Sequence, residues 1–222
     1  MKGEKAMVTK NELLRNIDFL GHVTFQIKGS RVIYTDPYQL SVYRSLEAAD
    51  IILVSHSHFD HCSLEDIAML CSEKTSIVAP ADCLEALTGL PGKVMCLSPN
   101  EEAVLNGVEV RAVPAYNIGK QFHPKESRWN GYVFTLDGVR YYHPGDSDAI
   151  PEMNDIAADV VFLPVGGTYT MDAREACEVA NRIGPKVAIP MHYGSVIGSI
   201  KDAEAFVQCV GDIGAILPQR KK

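Results

Sequence analysis

The chain has 222 residues, 46% of them hydrophobic and 22% charged, which suffices for one substantial core but not for two large independent domains. Its 28 acidic and 21 basic side chains give a formal net charge of −7, with no overall pull toward nucleic acid or an anionic membrane surface. No stretch approaches the ~18 uninterrupted apolar residues of a membrane span, and the charged start MKGEKAMVTKNELLR has no apolar run behind it to make a signal peptide.

Residues 18–35 read as a hairpin turning at Lys28-Gly29-Ser30. Asp50 to Ser55 (DIILVS) is a short apolar strand of the kind buried on both faces. Ser63, with Asp66 behind it, predicts a capping box opening a helix with Leu64, Ile67, Ala68 and Cys71 at apolar spacing. Strands are predicted over 76–79 and 94–97, with a helix over 81–88 between them. In the second half, 107–114 is a strand and 131–142 a hairpin turning at Asp137-Gly138. Residues 159–164 and 186–190 are further strands. Asp172 to Ile183 is an amphipathic helix with Ala173, Ala176, Cys177 and Ala180 on one face, stopped by Gly184-Pro185, and 202–210 is a closing helix. The six cysteines (Cys62, Cys71, Cys83, Cys96, Cys177 and Cys209) form no C-x-x-C pairs. They read as reduced thiols, mostly buried, with the cytoplasm as the default location.

Alternating strands and helices interrupted by hairpins predict a sheet-rich α/β core with helices outside. Polar clusters follow apolar strands at 56–61, 143–148 and 191–194, and chemistry in such folds collects beyond the carboxyl ends of strands. The strongest cluster is His56-x-His58-x-Asp60-His61, whose imidazole and carboxylate donors suit zinc, iron or manganese. Alternate residues leaving a strand can point to opposite sides, so His56 and His58 can share one ion and Asp60 and His61 a second. An ion takes about four ligands, so other strand ends must contribute. Asp146, in YHPGD, has two oxygens with which to bridge a pair of ions, and His192 follows the last predicted strand.

His56-x-His58-x-Asp60-His61, Gly145-Asp146 and Pro190-Met191-His192, together with Gly21-His22 and Thr35-Asp36-Pro37, resemble the metallo-β-lactamase superfamily of metal-dependent hydrolases over nearly the whole chain. The resemblance is strongest to small stand-alone members similar to ascorbate-6-phosphate lactonase and N-acylphosphatidylethanolamine phospholipase D. It implies a single domain over 1–222, a four-layer αββα sandwich of two mixed sheets with helices outside, in half-domains of about 1–106 and 107–222. It also implies two zinc ions, with manganese or iron as substitutes. His56 and His58 would hold the first ion, Asp60, His61 and His192 the second, with Asp146 bridging and Asp60 and Asp146 as the catalytic carboxylates. One position departs from the pattern. Asn117 stands where a third histidine for the first ion is expected, leaving either its amide oxygen or the nearby His123 to complete that site.

The implied reaction is hydrolysis of a small ester, lactone or phosphodiester by metal-activated hydroxide. The alternatives are a di-iron redox enzyme, or a non-catalytic metal-binding module with a degraded first site. Within 117–130, Lys120, Lys125 and Arg128 could grip an anionic substrate; otherwise the segment is a solvated loop packed down by Trp129. His22 reads either as a substrate or water contact or as a core histidine, and Asp36 either as the support of a ligand imidazole or as a turn residue. The expected partner is a small molecule, with neither nucleic acid nor membrane; the sequence does not set the oligomeric state.

Overall fold

The computed structural model describes residues 9–220; the charged residues before Thr9, where no signal peptide is read, lie outside them. Thr9 and Glu12 cap each other reciprocally to start a short helix, α1 (Lys10–Arg15). Three strands follow: β1 (Ile17–Gly21), β2 (Thr24–Lys28) and β3 (Val32–Thr35). The predicted hairpin over 18–35 is therefore two turns, not one. The unforeseen turn runs through Gly21 (φ 119°) and His22 (φ 54°), and a left-handed histidine gives no turn signal in sequence.

From β3 the chain runs into parallel strands β4 (Ile51–Leu53), β5 (Ser76–Ala79) and β6 (Lys93–Cys96), completing a six-stranded mixed sheet in chain order. Between β5 and β6 the expected helix over 81–88 is only a 3-10 turn over Ala81–Cys83 followed by further turns. The second sheet takes β7 (Glu102–Leu105), β8 (Val108–Pro114), β9 (Asn130–Leu136) and β10 (Val139–His143) as an antiparallel meander. Parallel strands β11 (Val160–Pro164) and β12 (Val187–Met191) complete it. β7 was not predicted, although Asn106-Gly107, at φ 49° and 87°, is the tight-turn pair that closes it onto β8. The chain thus changes sheets between Cys96 and Glu102.

Strand alternation explains the layering. On the first sheet, Phe25, Ile33, Ile51, Leu53 and Val78 join the core shared with the second sheet, and the Phe25 ring lies 4.2 Å from that of Phe162. Their neighbours Tyr34, Ile52, Val54 and Ile77 face the opposite way and pack with Ile67 and Leu70 of helix α2 (Leu64–Leu70). The predicted face of α2 is corrected: Leu64 and Ala68 are exposed. Ser63 caps the helix, but the Asp66 carboxylate does not close a capping box. It is buried and accepts instead from the backbone N–H groups of Gln39 and Leu40. Helices α3 (Ala173–Ile183) and α4 (Ile200–Val210) cover β11 and β12, giving two mixed sheets between helices. α3 starts at a reciprocal Asp172–Glu175 cap and stops at left-handed Gly184, the stop its sequence predicts.

The six cysteines are not all reduced: Cys177 on α3 and Cys209 on α4 form a disulfide with Cα atoms 6.1 Å apart. Helices packed side by side brought together residues 32 positions apart, a proximity invisible in the cysteine spacing.

Candidate metal centre

Loops leaving β3, β4, β8, β10 and β12, with the β1–β2 turn, meet at one edge of the paired sheets. Three sets of side chains there bring one donor atom each to within 4.8 Å of one another: His56, His58 and His123; His56, His61 and Asp146; and His22, Asp60, His61 and His192. Asp146 stands between them. Its Oδ1 is 3.3 Å from His61 Nε2, and its Oδ2 is 3.0 Å from His192 Nε2 and 3.4 Å from His123 Nε2. His56 Nε2 and His58 Nδ1 are 3.0 Å apart. All these residues are buried except His58, which is partly open to solvent.

Ser55 and Asp36 set the first loop. Asp36 accepts from the Ser55 backbone N–H (2.7 Å) and hydroxyl (2.7 Å), and its Oδ2 lies 2.8 Å from His61 Nδ1. The Ser55 hydroxyl also meets His56 Nδ1 at 2.9 Å. Both imidazoles are thereby held by one nitrogen with Nε2 turned inward, the usual way a protein orients a metal-binding histidine. His22 Nε2 lies 3.0 Å from Asp60 Oδ2 and fixes that carboxylate. At the second loop Gly145 has φ 62°, and a Cβ there would come within 2.7 Å of Ser55 Cβ, so the turn presenting Asp146 requires glycine. His143 stays outside the cluster: its Nε2 bonds the Val23 carbonyl and its Nδ1 accepts from the Gly145 N–H, holding the same turn.

The geometry separates the roles of Asn117 and His123. His123 Nδ1 lies 2.9 Å from Asn117 Oδ1, while the Asn117 amide donates to the Tyr169 carbonyl at 2.9 Å. The amide oxygen is spent on His123, and it is His123 Nε2 that faces His56 and His58. Sequence reasoning overlooked two further supports. The Trp129 ring lies 4.8, 4.9 and 5.5 Å from the rings of His56, His58 and His123. Its Nε1 donates to Asp82 Oδ2 at 2.7 Å, the oxygen that also accepts from the Ser57 hydroxyl. Ser55 could have been suspected from its place beside His56; Asp82 carries no local signal.

Two of the three cations named in 117–130 are engaged within the protein. Lys120 bonds Asp148 (2.6 Å) and the Thr170 carbonyl, and Lys125 bonds Glu152 (2.9 Å) and the Tyr116 hydroxyl. These bonds tie the loop down and remove the support that Lys120 and Lys125 gave to an anionic substrate.

Burial holds His56 and His58 below the ordinary imidazole range and takes His123 down to about 4, against the pull of Asp146. His61 is also buried, but Asp146 and Asp36 on either side raise it well above that range. Burial favours the neutral form of Asp146, yet His192 and His61 hold its carboxyl well below the usual value; the hydrogen bond from His22 overcomes burial likewise at Asp60. The lowered imidazoles of His56, His58 and His123 beside the ionised carboxylates of Asp60 and Asp146 are donors of the kind that zinc, manganese or iron takes.

His61 Nε2, His123 Nε2, His192 Nε2 and Asp146 Oδ1 are buried without a hydrogen-bond partner among the described residues. Each such atom costs about 1–3 kcal/mol unless something meets it, and a cation at this point would meet all four.

Comparison with known proteins agrees with this chemistry. The profile of the β-lactamase superfamily domain matches residues 16–192. A UPF0173 metal-dependent hydrolase of Thermococcus kodakarensis is 32% identical over 207 residues, covering 88% of this chain and 92% of the relative. The crystal structure of a protein of Parabacteroides distasonis, provisionally described as a metal-dependent hydrolase, matches with a TM-score of 0.79 at 32% identity, over 92% of this chain and 93% of that one. Igni18, a metallo hydrolase of Ignicoccus hospitalis, shares the fold at a TM-score of 0.73 and 23% identity, over 93% and 95% of the two chains.

Proposed function

This chain belongs to the metallo-β-lactamase superfamily and is a metal-dependent hydrolase, and we propose that it works with two metal ions, zinc by preference, on a small ester, lactone or phosphodiester. His56, His58 and His123 would hold the first ion; Asp60, His61 and His192 would hold the second. Asp146, which faces His123 of the first set and His61 and His192 of the second, would be shared between them. The observation that carries this reading is the convergence of buried nitrogen and oxygen atoms without a hydrogen-bond partner among the described residues.

Zinc bound there would lower the pKa of water toward neutrality and polarise the scissile bond. The chain's own residues prepare for that chemistry. Asp36 and Ser55 keep the His61 and His56 rings turned inward, and Asn117 does the same for His123. His22 fixes one oxygen of Asp60 and leaves the other for the ion or for the proton of an attacking water. Asp146 stays ionised because His192 and His61 face it. His123 also weakens the non-catalytic alternative, because a third imidazole is available despite Asn117.

The test is metal content by mass spectrometry on protein purified without chelator, beside turnover of a lactone, ester and phosphodiester panel. About two ions per chain and hydrolysis of at least one class are expected, with Asp146→Ala losing both. Full activity of Asp146→Ala would refute the bridging role, and failure to take up zinc or manganese would refute the two-ion reading.

A further inference from the structure

Beside the candidate metal centre, between the β1–β2 turn, residues 38–42, residues 193–200 and the segment 216–219, lies a cavity of about 380 Å³. Phe19, Leu20, Val42, Tyr193 and Ile200 line it beside Gln39, Ser195 and Gln219, and no Lys, Arg, Asp or Glu lines it among the described residues. Val42 and Ile200 are half-exposed at its rim.

His22 makes this cavity part of the reaction site. It lines the cavity, while its Nε2 lies 3.0 Å from Asp60 Oδ2 and its ring 4.3 Å from that of His192. The His192 N–H donates to the His22 carbonyl at 2.8 Å, so the cavity wall and the second set of donors are one rigid piece. His22 is nine-tenths buried or more, and its Nδ1 has no hydrogen-bond partner among the described residues. Since Nε2 donates to the Asp60 carboxylate, Nδ1 of the neutral ring is an acceptor that a ligand N–H or O–H could fill.

We propose that this cavity seats the uncharged, apolar arm of the substrate, with His22 Nδ1 accepting a hydrogen bond from the polar group next to it. The proposal rests on the hydrolase reading above and adds the class of substrate: an ester or lactone whose acyl or alkyl arm is neutral. An anionic arm would enter a wall without a cation, and Lys120 and Lys125 are already bonded to Asp148 and Glu152.

The experiment titrates the purified protein, its metal content measured in the same sample, with butanamide, pentanamide and hexanamide by saturation-transfer NMR. Each methylene entering an apolar pocket should tighten binding about fourfold. Glutaric acid monoamide, which carries a carboxylate at the far end of the chain, should bind more weakly than pentanamide. Ile200→Asp, a change at a half-exposed position, should abolish the chain-length gain while leaving the melting temperature and metal content unchanged. A flat series, or glutaric acid monoamide binding as tightly as pentanamide, would overturn the proposal. So would a dimer in sedimentation that Ile200→Asp dissolves, since a second copy would then be the occupant. A flat series on metal-loaded, active protein would sink this inference alone; a rising series on protein that takes up no zinc would support the pocket and sink the metal reading instead.

Discussion

Replacing His123 and Asn117 separately asks which of them completes the first metal site. In the structure Asn117 acts through His123: its Oδ1 holds His123 Nδ1 at 2.9 Å, and the far nitrogen joins His56 and His58 in a set of donors within 4.8 Å of one another. His123→Ala removes a donor, and His56 and His58 with the shared Asp146 should not retain the ion at micromolar free zinc. Asn117→Ala removes only the support. Losses of this kind typically weaken metal affinity about 10- to 100-fold, or roughly 1.4–2.7 kcal/mol. It also removes the bond to the Tyr169 carbonyl, worth about 1 kcal/mol of stability. Competition titration with a zinc indicator, paired with mass-spectrometric metal content, separates the cases. His123→Ala should hold about one ion and Asn117→Ala two, the weaker with reduced affinity. If Asn117→Ala drops to one ion while His123→Ala keeps two, the amide oxygen is the ligand and the argument from geometry is wrong.

Trp129 is the only tryptophan, and its ring lies 4.8–5.5 Å from three of the proposed ligands. Titration with Cu²⁺ or Co²⁺ should therefore quench the protein's indole fluorescence stoichiometrically; undiminished emission at full loading would mean that the ion sits elsewhere. Acid should destabilise the metal-free protein. The folded His123 titrates at about 4 and an unfolded histidine near ~6.5, so between those values the unfolded chain binds a proton that the folded one refuses. His56 and His58 shift the same way. The raised His61 adds nothing to the slope below ~6.5, because both states are then protonated. The melting temperature of EDTA-treated protein should fall steadily from pH 6.5 to 4.5, and a constant or rising value would contradict the burial argument. Reducing Cys177–Cys209, which closes a loop of 32-residue separation, should cost about 3–4 kcal/mol. Cys177→Ala should reproduce the drop in melting temperature without loss of metal, and an unchanged melting temperature would show that the bond does not constrain the unfolded chain.

What the sequence determined by itself was local chemistry. His56, His58, Asp60 and His61 follow a strand too apolar to be anything but buried, and so many donors in six residues have few other uses. The Asp137-Gly138 turn and the Gly184 stop were legible because each depends on residues within a few positions of itself. Asp146 and His192 could be nominated because strands of one sheet present their carboxyl ends at a common edge.

Tertiary structure alone decided matters that depend on distance in space. Only the path of the 117–130 loop shows that Asn117 turns its oxygen on His123 rather than toward His56, since both residues carry plausible donors. Asp82 reaches Trp129 and Ser57 across 47 and 25 positions of sequence, and Cys177 meets Cys209 because two helices pack on one sheet. The 81–88 segment held enough helix formers to suggest a helix, yet it folds as a 3-10 turn followed by further turns. His22 reaches the centre because a left-handed turn aims it there, a backbone state that the surrounding packing imposes and no residue preference announces.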